Sequence, residues 1–199
     1  QAPVTKSVLR DLGSAGLVGL LNVIGMLPHR NFQDTEHKAE DLERVSGETL
    51  ARTLFYEAGS CHLCPIGCRR RTSVTVKGRR RKGEGPDLET AMLLGPACGI
   101  YDLEAITLTG YRLNELGLDA LSFGGTVACA MELYGRGIIG PRETGGLDLT
   151  FGNASILEEL AALTASRKAF GAKLADGSFR LAEGYGKPEY SMTVKKLEI

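Results

Sequence analysis

Residues 102–134 read DLEAITLTGYRLNELGLDALSFGGTVACAMELY, and this stretch predicts two consecutive helices. In its first half, apolar side chains recur at nearly helical spacing, at Leu103, Ile106, Leu113 and Leu116. Asp102 is a suitable N-cap and Gly117 a suitable C-cap, which predicts a helix over residues 103–116. Ser122 could cap a second helix that runs to Tyr134. Two adjacent helices of this length favour a mainly α chain.

The rest of the chain continues the helical pattern, with one exception. Further helical stretches are predicted at residues 5–24, 36–57, 87–95 and 155–170, with short pieces near 171–175 and 180–184. Gly47 could divide the second of these, and Ser155 with Glu158 matches a capping box at the start of the fourth. The exception is residues 72–76, where polar and β-branched residues alternate before a basic run. We therefore predict an irregular multi-helix domain with one small β-hairpin at about residues 72–82.

The charge balance and the hydrophobic content exclude several classes of protein. Lysine and arginine number 24 and aspartate and glutamate also 24, so the formal net charge is zero and a globally cationic nucleic-acid binder is excluded. Hydrophobic residues make up 43% of the chain, which excludes the disordered class. No apolar run reaches the roughly 18–20 residues of a membrane span, so we expect no membrane association and a cytoplasmic location. The chain starts at Gln1 and stops abruptly at Ile199, and we interpret residues 1–199 as one domain of a longer polypeptide.

Three of the five cysteines lie close together, in the pattern Cys61-x2-Cys64-x3-Cys68. Thiolates are soft ligands, and such short spacings let one loop hold one face of an iron–sulfur cluster or bind zinc. A fourth ligand must come from elsewhere. His62 would suit zinc, and Cys98 is either a ligand or a small buried core residue. The pattern favours an iron–sulfur site and leaves zinc, or no metal, as alternatives.

A dense basic tract follows the cysteines and covers the predicted hairpin. Its cations are Arg69, Arg70, Arg71, Lys77, Arg79, Arg80, Arg81 and Lys82, with no acidic residue before Glu84. One interpretation is a solvated hairpin. The other is a docking face that attracts an acidic protein over long range. A nucleic-acid role is not expected, because no aromatic residue is interleaved in the tract.

Several ordered stretches make the chain resemble a known family. They are residues 27–33 (LPHRNFQ), the cysteine pattern, and residues 85–90 (GPDLET), 95–100 (GPACGI), 114–122 (NELGLDALS), 130–134 (AMELY) and 192–199 (MTVKKLEI). Together they resemble the aldehyde:ferredoxin oxidoreductase family, tungsten-pterin enzymes of anaerobic archaea and bacteria. The likeness spans essentially the whole chain. It implies the middle helical domain of three, with the N-terminal and C-terminal domains outside residues 1–199.

The resemblance also implies roles for particular residues. Cys61, Cys64 and Cys68 would hold a 4Fe-4S cluster whose fourth cysteine lies outside this chain, so that Cys98 is not a ligand. Glu89 matches a glutamate that transfers protons in catalysis. A family motif for pterin binding, D-x-x-G-L-C/D, matches residues 114–119. In that motif the cofactor-binding positions are Asn114, Gly117, Leu118 and Asp119, and Asn114 stands where the family has an aspartate.

The implied function is the oxidation of aldehydes to carboxylic acids by a tungsten or molybdenum bis-pterin centre, with electrons passing through the cluster to ferredoxin. The implied partners are ferredoxin, a small aldehyde and the rest of the same polypeptide, and a homodimer is allowed. Two alternatives stay open. One is a non-catalytic zinc-binding or interaction domain. The other is an enzyme of the same family that acts on another substrate, such as an aromatic ring.

Overall fold

The computed structural model describes residues 5–35 and 37–199, without the side chain of Lys6. The α-helices are α1 (Val18–Val23), α2 (Ala39–Arg44), α3 (Gly47–Thr53), α4 (Leu88–Leu93), α5 (Leu103–Leu116), α6 (Ala120–Gly135), α7 (Pro141–Thr144), α8 (Leu157–Ser166), α9 (Gly171–Leu174) and α10 (Gly177–Gly184). The strands are β1 (Phe55–Gly59), β2 (Arg69–Val76), β3 (Arg79–Glu84), β4 (Thr193–Val194) and β5 (Leu197–Glu198). One π-helical turn spans Thr5–Leu9, and 3₁₀ turns span Ser14–Leu17, Pro96–Cys98, Ala154–Ile156 and Pro188–Tyr190. The prediction of a mainly α fold with a small hairpin is confirmed.

Helix α6 is the centre of the larger of two hydrophobic cores. It is buried almost continuously from Phe123 to Leu133 and packs against α4 and α10. Gly124 lets α4 approach closely, since a Cβ there would come 2.7 Å from the Cβ of Leu93. The smaller core lies between the N-terminal turns, α3, α4 and the sheet, and contains Ala15, Val18, Leu27, Leu50, Leu54, Val74, Ala91 and Leu103.

The caps of α5 were predicted correctly, whereas those of two later helices were not. The Asp102 carboxylate accepts from the amide of Ala105 at 3.0 Å, and Gly117 ends α5 at φ 68°. For α6 the prediction of Ser122 was wrong, because Asp119 is the N-cap and accepts from the amide of Ser122 at 2.7 Å. The capping box at Ser155 was also wrong, because the 3₁₀ turn before α8 is capped by the Asn153 side chain. Helix α8 ends at Ser166 rather than at residue 170, because Arg167 takes a left-handed conformation at φ 50°.

The predicted hairpin is confirmed as β2 and β3, and the sheet has a third strand that was missed. Strand β1 pairs antiparallel with β2, in the order β1-β2-β3. Residues 36–57 were predicted to be helical, with a break at Gly47. The break occurs where Ser46 caps α3, but the last residues of that stretch belong to β1.

None of the described helices is by itself long and apolar enough to cross a membrane. Only α5 and α6 together meet the length and composition, and that pair is bent by 119°.

Candidate cofactor-binding site

The three clustered cysteines lie on the loop that joins β1 to β2. Pairing of Gly59 with Arg69 holds the two ends of this loop side by side. Within it, the amide of Cys64 donates to the carbonyl of Cys61 at 3.0 Å, and Leu63 at the turn is 90% exposed. All three thiols are free, with Cys61 exposed and the other two half-buried. We call residues 60–68 the cysteine loop.

The three thiols of the cysteine loop do not converge on a common point in this structure. Within residues 5–35 and 37–199, no three His, Cys, Asp or Glu side chains converge closely enough to form a metal site. Three soft donors on one loop still match the chemistry of an iron–sulfur cluster or of zinc. A cluster bound by thiolates is anionic, so it fits this site best if a positive charge lies near the loop.

Arg70 is a buried cation directly behind the cysteine loop. Its side chain is on the inner face of β2 and only 3% exposed. One guanidinium nitrogen donates to the carbonyls of Leu9, Arg10 and Gly67, while Nε has no hydrogen-bond partner within residues 5–35 and 37–199. Among the described residues, no carboxylate lies within ion-pair distance of this guanidinium. A buried charge without a counter-ion is costly, so a group with negative charge on the cysteines fits this site.

The surroundings of Arg70 have opposite effects on the pKa of its guanidinium. Burial lowers the pKa of the guanidinium, and the nearby Cys68 and Asp11 raise it. The guanidinium also lies 5.2 Å from the centre of the Phe55 ring, which gives a cation–π contact. In the part of the chain that the structure describes, no carboxylate forms an ion pair with Arg70 to compensate for its desolvation.

Glu89 lies exposed in the first turn of α4. Asp87 is the N-cap of this helix, and its carboxylate accepts from the amide of Thr90 at 3.0 Å. Ser14 accepts a hydrogen bond at 3.0 Å from the amide of Leu88, the residue before Glu89. In the part of the chain that the structure describes, no hydrogen bond or ion pair involves the Glu89 side chain. Its carboxylate is therefore available to a group outside this chain.

A short path of contacts connects the cysteine loop with Glu89. Gly13 lies against Arg70 and the carbonyl of Cys68, since a Cβ there would be 2.7 Å from Arg70 Cγ and 3.0 Å from that oxygen. Ser14, the next residue, holds the start of α4 through the hydrogen bond to Leu88. The fold thus brings the cluster candidates and the proton-transfer candidate to the same N-terminal turn. The sequence prediction did not identify Gly13 or Ser14.

The predicted pterin motif forms the corner between α5 and α6. Asn114 is exposed in the last turn of α5, and its carbonyl accepts from the amide of Gly117 at 3.3 Å. A Cβ at Gly117 would meet nothing within 4 Å, so the surface above the corner is open. Leu118, Asp119 and Thr126 are among the residues that line a recess next to this corner. No hydrogen bond or ion pair among the described residues joins this corner to the cysteine loop.

The two remaining cysteines lie in the core. Cys98 is fully buried, and its thiol donates to the carbonyl of Leu93 at 3.2 Å. Burial raises the pKa of both thiols, that of Cys129 to about 12. Neither cysteine lies on the cysteine loop.

The basic tract divides into a neutralised part and a cationic part. Near the cysteine loop, Arg69 pairs with Glu84, and Arg71 pairs with Glu57 at 3.0 Å. Farther along the sheet, Arg81 pairs with Glu158 of α8 at 3.1 Å. Apart from the buried Arg70, the other cations are Lys77, Arg79, Arg80 and Lys82. Across the described ranges, no carboxylate forms an ion pair with any of these four, and we call them the hairpin tip.

An exposed aromatic ring lies beside the hairpin tip. The Lys82 ammonium is 5.0 Å and the Arg80 guanidinium 5.9 Å from the centre of the Tyr56 ring. The tract itself contains no aromatic residue, and Tyr56 reaches it from strand β1, which was not predicted. The tip is therefore a cationic surface with an aromatic centre.

Comparison with known proteins identifies relatives over the whole chain. The model of the family described as "Aldehyde ferredoxin oxidoreductase, domains 2 & 3" matches residues 1–199. The tungsten-containing aldehyde ferredoxin oxidoreductase of Pyrococcus furiosus is 42% identical over 99% of this chain, and that of Thermococcus kodakarensis 41% over 99%. The chain spans 32% of the length of each of these relatives.

More distant similarities extend to proteins with other substrates in their names. An aliphatic sulfonate oxidoreductase subunit of Pyrococcus furiosus is 28% identical over 86% of this chain and 28% of its own length. Among solved structures, the active-site complex of benzoyl coenzyme A reductase with 1,5-dienoyl-CoA matches at a TM-score of 0.70. It covers 98% of this chain and 30% of that one at 22% identity, which shows a shared fold.

Proposed function

The chain belongs to the aldehyde ferredoxin oxidoreductase family, and we propose that it is the middle domain of a tungsten or molybdenum bis-pterin oxidoreductase. The observation that carries the proposal is the 42% identity to a tungsten-containing member over 99% of the chain. The proposed reaction is the oxidation of an aldehyde. The aldehyde and water give a carboxylic acid, two protons and two electrons, and the electrons pass singly through the cluster to ferredoxin. The pterin-bound metal supplies the oxidation chemistry when it is present. We also propose a cytoplasmic location.

The cysteine loop would hold the 4Fe-4S cluster. Cys61, Cys64 and Cys68 supply three thiolates, and the fourth ligand would come from outside this chain. The pairing of β1 with β2 clamps the loop, which limits the entropy lost when three thiols are fixed on one cluster. The buried charge of Arg70 supports an anionic group at this position.

Glu89 would accept a proton released when water adds to the aldehyde carbonyl. Its exposed carboxylate needs a second surface to shield it from bulk water, because general bases work in enclosed sites. The start of α4 is held by Asp87 and Ser14, so the backbone that carries Glu89 is fixed on both sides. The neighbouring domain of the longer polypeptide would provide the enclosing surface.

Asn114, Gly117, Leu118 and Asp119 would contact the pterin at the corner of α5 and α6. The absence of a side chain at Gly117 leaves space for a flat ring. Asp119 uses one carboxylate oxygen to cap α6 and offers its other oxygen to N–H donors of the pterin. Asn114 offers a neutral amide oxygen, which accepts more weakly than the carboxylate of the family motif.

The hairpin tip would attract ferredoxin. Four cations without ion pairs create a positive field that raises the encounter rate with an acidic protein. Strand β2 spans about 25 Å from the cysteine loop to the tip at about 3.3 Å per residue. A typical interface of about 800 Å² per partner is about 28 Å across, so one partner would cover both the tip and the loop.

Two other functions compete with this one. Enzymes of this family with another substrate, including reducers of aromatic rings, share the fold, and the benzoyl-CoA reductase complex supports this alternative at the level of fold. A non-catalytic zinc-binding or interaction domain would use the same three thiols.

Metal analysis of the full-length polypeptide, purified without oxygen, separates these functions. We expect about four iron and four acid-labile sulfide per polypeptide, tungsten or molybdenum with pterin, and aldehyde-dependent reduction of ferredoxin. Cys64→Ser should lose iron and sulfide, whereas Cys98→Ala should keep both, since Cys98 lies in the core. Stoichiometric zinc without sulfide would exclude an iron–sulfur enzyme. Reduction of an aromatic thioester without aldehyde oxidation would identify the family alternative.

A further inference from the structure

Arg70 differs from its neighbours Arg69 and Arg71 in how its charge is balanced. The two neighbours are on the outer face of β2 and pair with Glu84 and Glu57. Arg70 is on the inner face, and among the described residues its guanidinium contacts backbone carbonyls and the Phe55 ring but no carboxylate. Its Nε–H has no acceptor in the ranges that the structure describes. The uncompensated charge is therefore confined to one position of this strand.

The contacts of Arg70 place that charge at the cysteine loop. A guanidinium nitrogen lies 3.3 Å from the carbonyl oxygen of Gly67, the residue before Cys68. Gly13 is packed between the Arg70 side chain and the carbonyl of Cys68. Asp11 is exposed and makes no ion pair with Arg70 within the described part of the chain. Cys68 lies two residues before Arg70 and against the same Gly13, so it is a nearby group that carries a balancing negative charge when it is a cluster ligand.

We propose that Arg70 raises the reduction potential of the cluster held by Cys61, Cys64 and Cys68, an inference that rests on the proposed function. A thiolate-bound cluster is anionic, and reduction adds one more negative charge to it. A buried cation stabilises the more negative state, and in a poorly solvated site this attraction is only weakly screened. Net charge and hydrogen bonding near a cluster are known determinants of its potential. Arg70 is thus a positioning residue that acts through the cluster.

The test measures the potential of the cluster in the full-length protein by an EPR-monitored redox titration. Three variants are compared with the wild type: Arg70→Gln, Arg70→Lys and Arg69→Gln. The last is the matched control, because it removes the same charge from the position next to Cys68, but from an exposed side chain paired with Glu84. Iron and sulfide contents are measured for every variant.

We expect the ratio of reduced to oxidised cluster at a fixed potential to fall about tenfold in Arg70→Gln, which corresponds to about 59 mV for one electron. Arg70→Lys keeps the charge and should stay within about threefold of the wild type, as should Arg69→Gln. Equal ratios in Arg70→Gln and Arg69→Gln would overturn the proposal. A tenfold fall in Arg70→Lys would also overturn it.

Two further outcomes are informative. If both Arg70 variants fail to bind iron and sulfide while Arg69→Gln binds them, Arg70 builds the loop rather than setting the potential, and the proposal is wrong. If the wild-type protein contains no iron and no sulfide, the proposed function is wrong, and the inference about Arg70, which depends on it, is wrong as well.

Discussion

At the scale of single residues, Asp119 has two assigned roles that can be separated by experiment. It caps α6 through the amide of Ser122, and it is proposed to bind pterin. Asp102 caps α5 in the same way, through the amide of Ala105, but lies outside the motif. Asp119 and Asp102 are therefore equivalent N-caps, and only Asp119 is proposed to bind a cofactor.

We predict that Asp119→Ala and Asp102→Ala each lower the free energy of unfolding by about 1 kcal/mol, the usual value of an N-cap. Only Asp119→Ala should lower the pterin and tungsten content of the full-length protein. Urea denaturation and metal analysis measure the two effects. Equal cofactor content in the two variants would show that Asp119 is a helix cap and nothing more.

Arg70 shows which residue-scale features could be read from the sequence. The predicted strand began at residue 72, and extending its alternation by two residues places Arg70 on the same face as Thr72 and Val74, as β2 shows. The missing counter-ion could not be predicted in this way. It depends on the N-terminal turn, whose carbonyls meet Arg70 from about 60 residues away in sequence.

At the scale of elements, local signals gave the bounds of α5 but the wrong caps for α6 and α8, and long-range strand pairing was not predicted. Helix α5 was bounded correctly because Asp102 and Gly117 act within one turn of its ends. Strand β1 was missed because its five residues, FYEAG, lack alternation and are extended only through pairing with β2. The neutralised part of the basic tract was likewise hidden, since Glu57 and Glu158 come from other elements.

The hairpin tip leads to a prediction about the partner. Reversing two of its charges, Arg80→Glu with Lys82→Glu, should raise the KM for ferredoxin about tenfold and weaken its dependence on salt. The kcat with a small viologen acceptor should not change, because the tip is remote from the cysteine loop. Steady-state kinetics at several ionic strengths measure both quantities.

The matched control changes the same number of charges elsewhere on the surface. Arg142 and Lys168 are exposed and lie outside the sheet, so Arg142→Glu with Lys168→Glu leaves the tip intact. A similar rise in KM for both double variants would show that total charge, and not the tip, governs the encounter with ferredoxin.

At the scale of the whole molecule, the described residues form two buried hydrophobic cores, whereas the residues of the proposed site are open to solvent. The larger core surrounds α6, and the smaller one supports the sheet and the cysteine loop. The candidate cofactor residues are different in kind: the cysteine loop, Glu89 and the α5–α6 corner are all exposed or half-buried. A fold with buried cores and open functional residues is what a domain that completes its site with other domains would have.

Residues 1–199 expressed alone test this last interpretation. The two cores should give a helical protein that unfolds cooperatively, as followed by circular dichroism. We predict no aldehyde oxidation and little retained cluster, because three thiolates leave one iron without a protein ligand and the pterin meets only one of its surfaces. Iron and sulfide analysis after anaerobic reconstitution measures cluster retention. A stable four-iron spectrum from this chain would require a fourth ligand within it, and Cys98, which lies fully buried against α4, would have to leave the core to provide it.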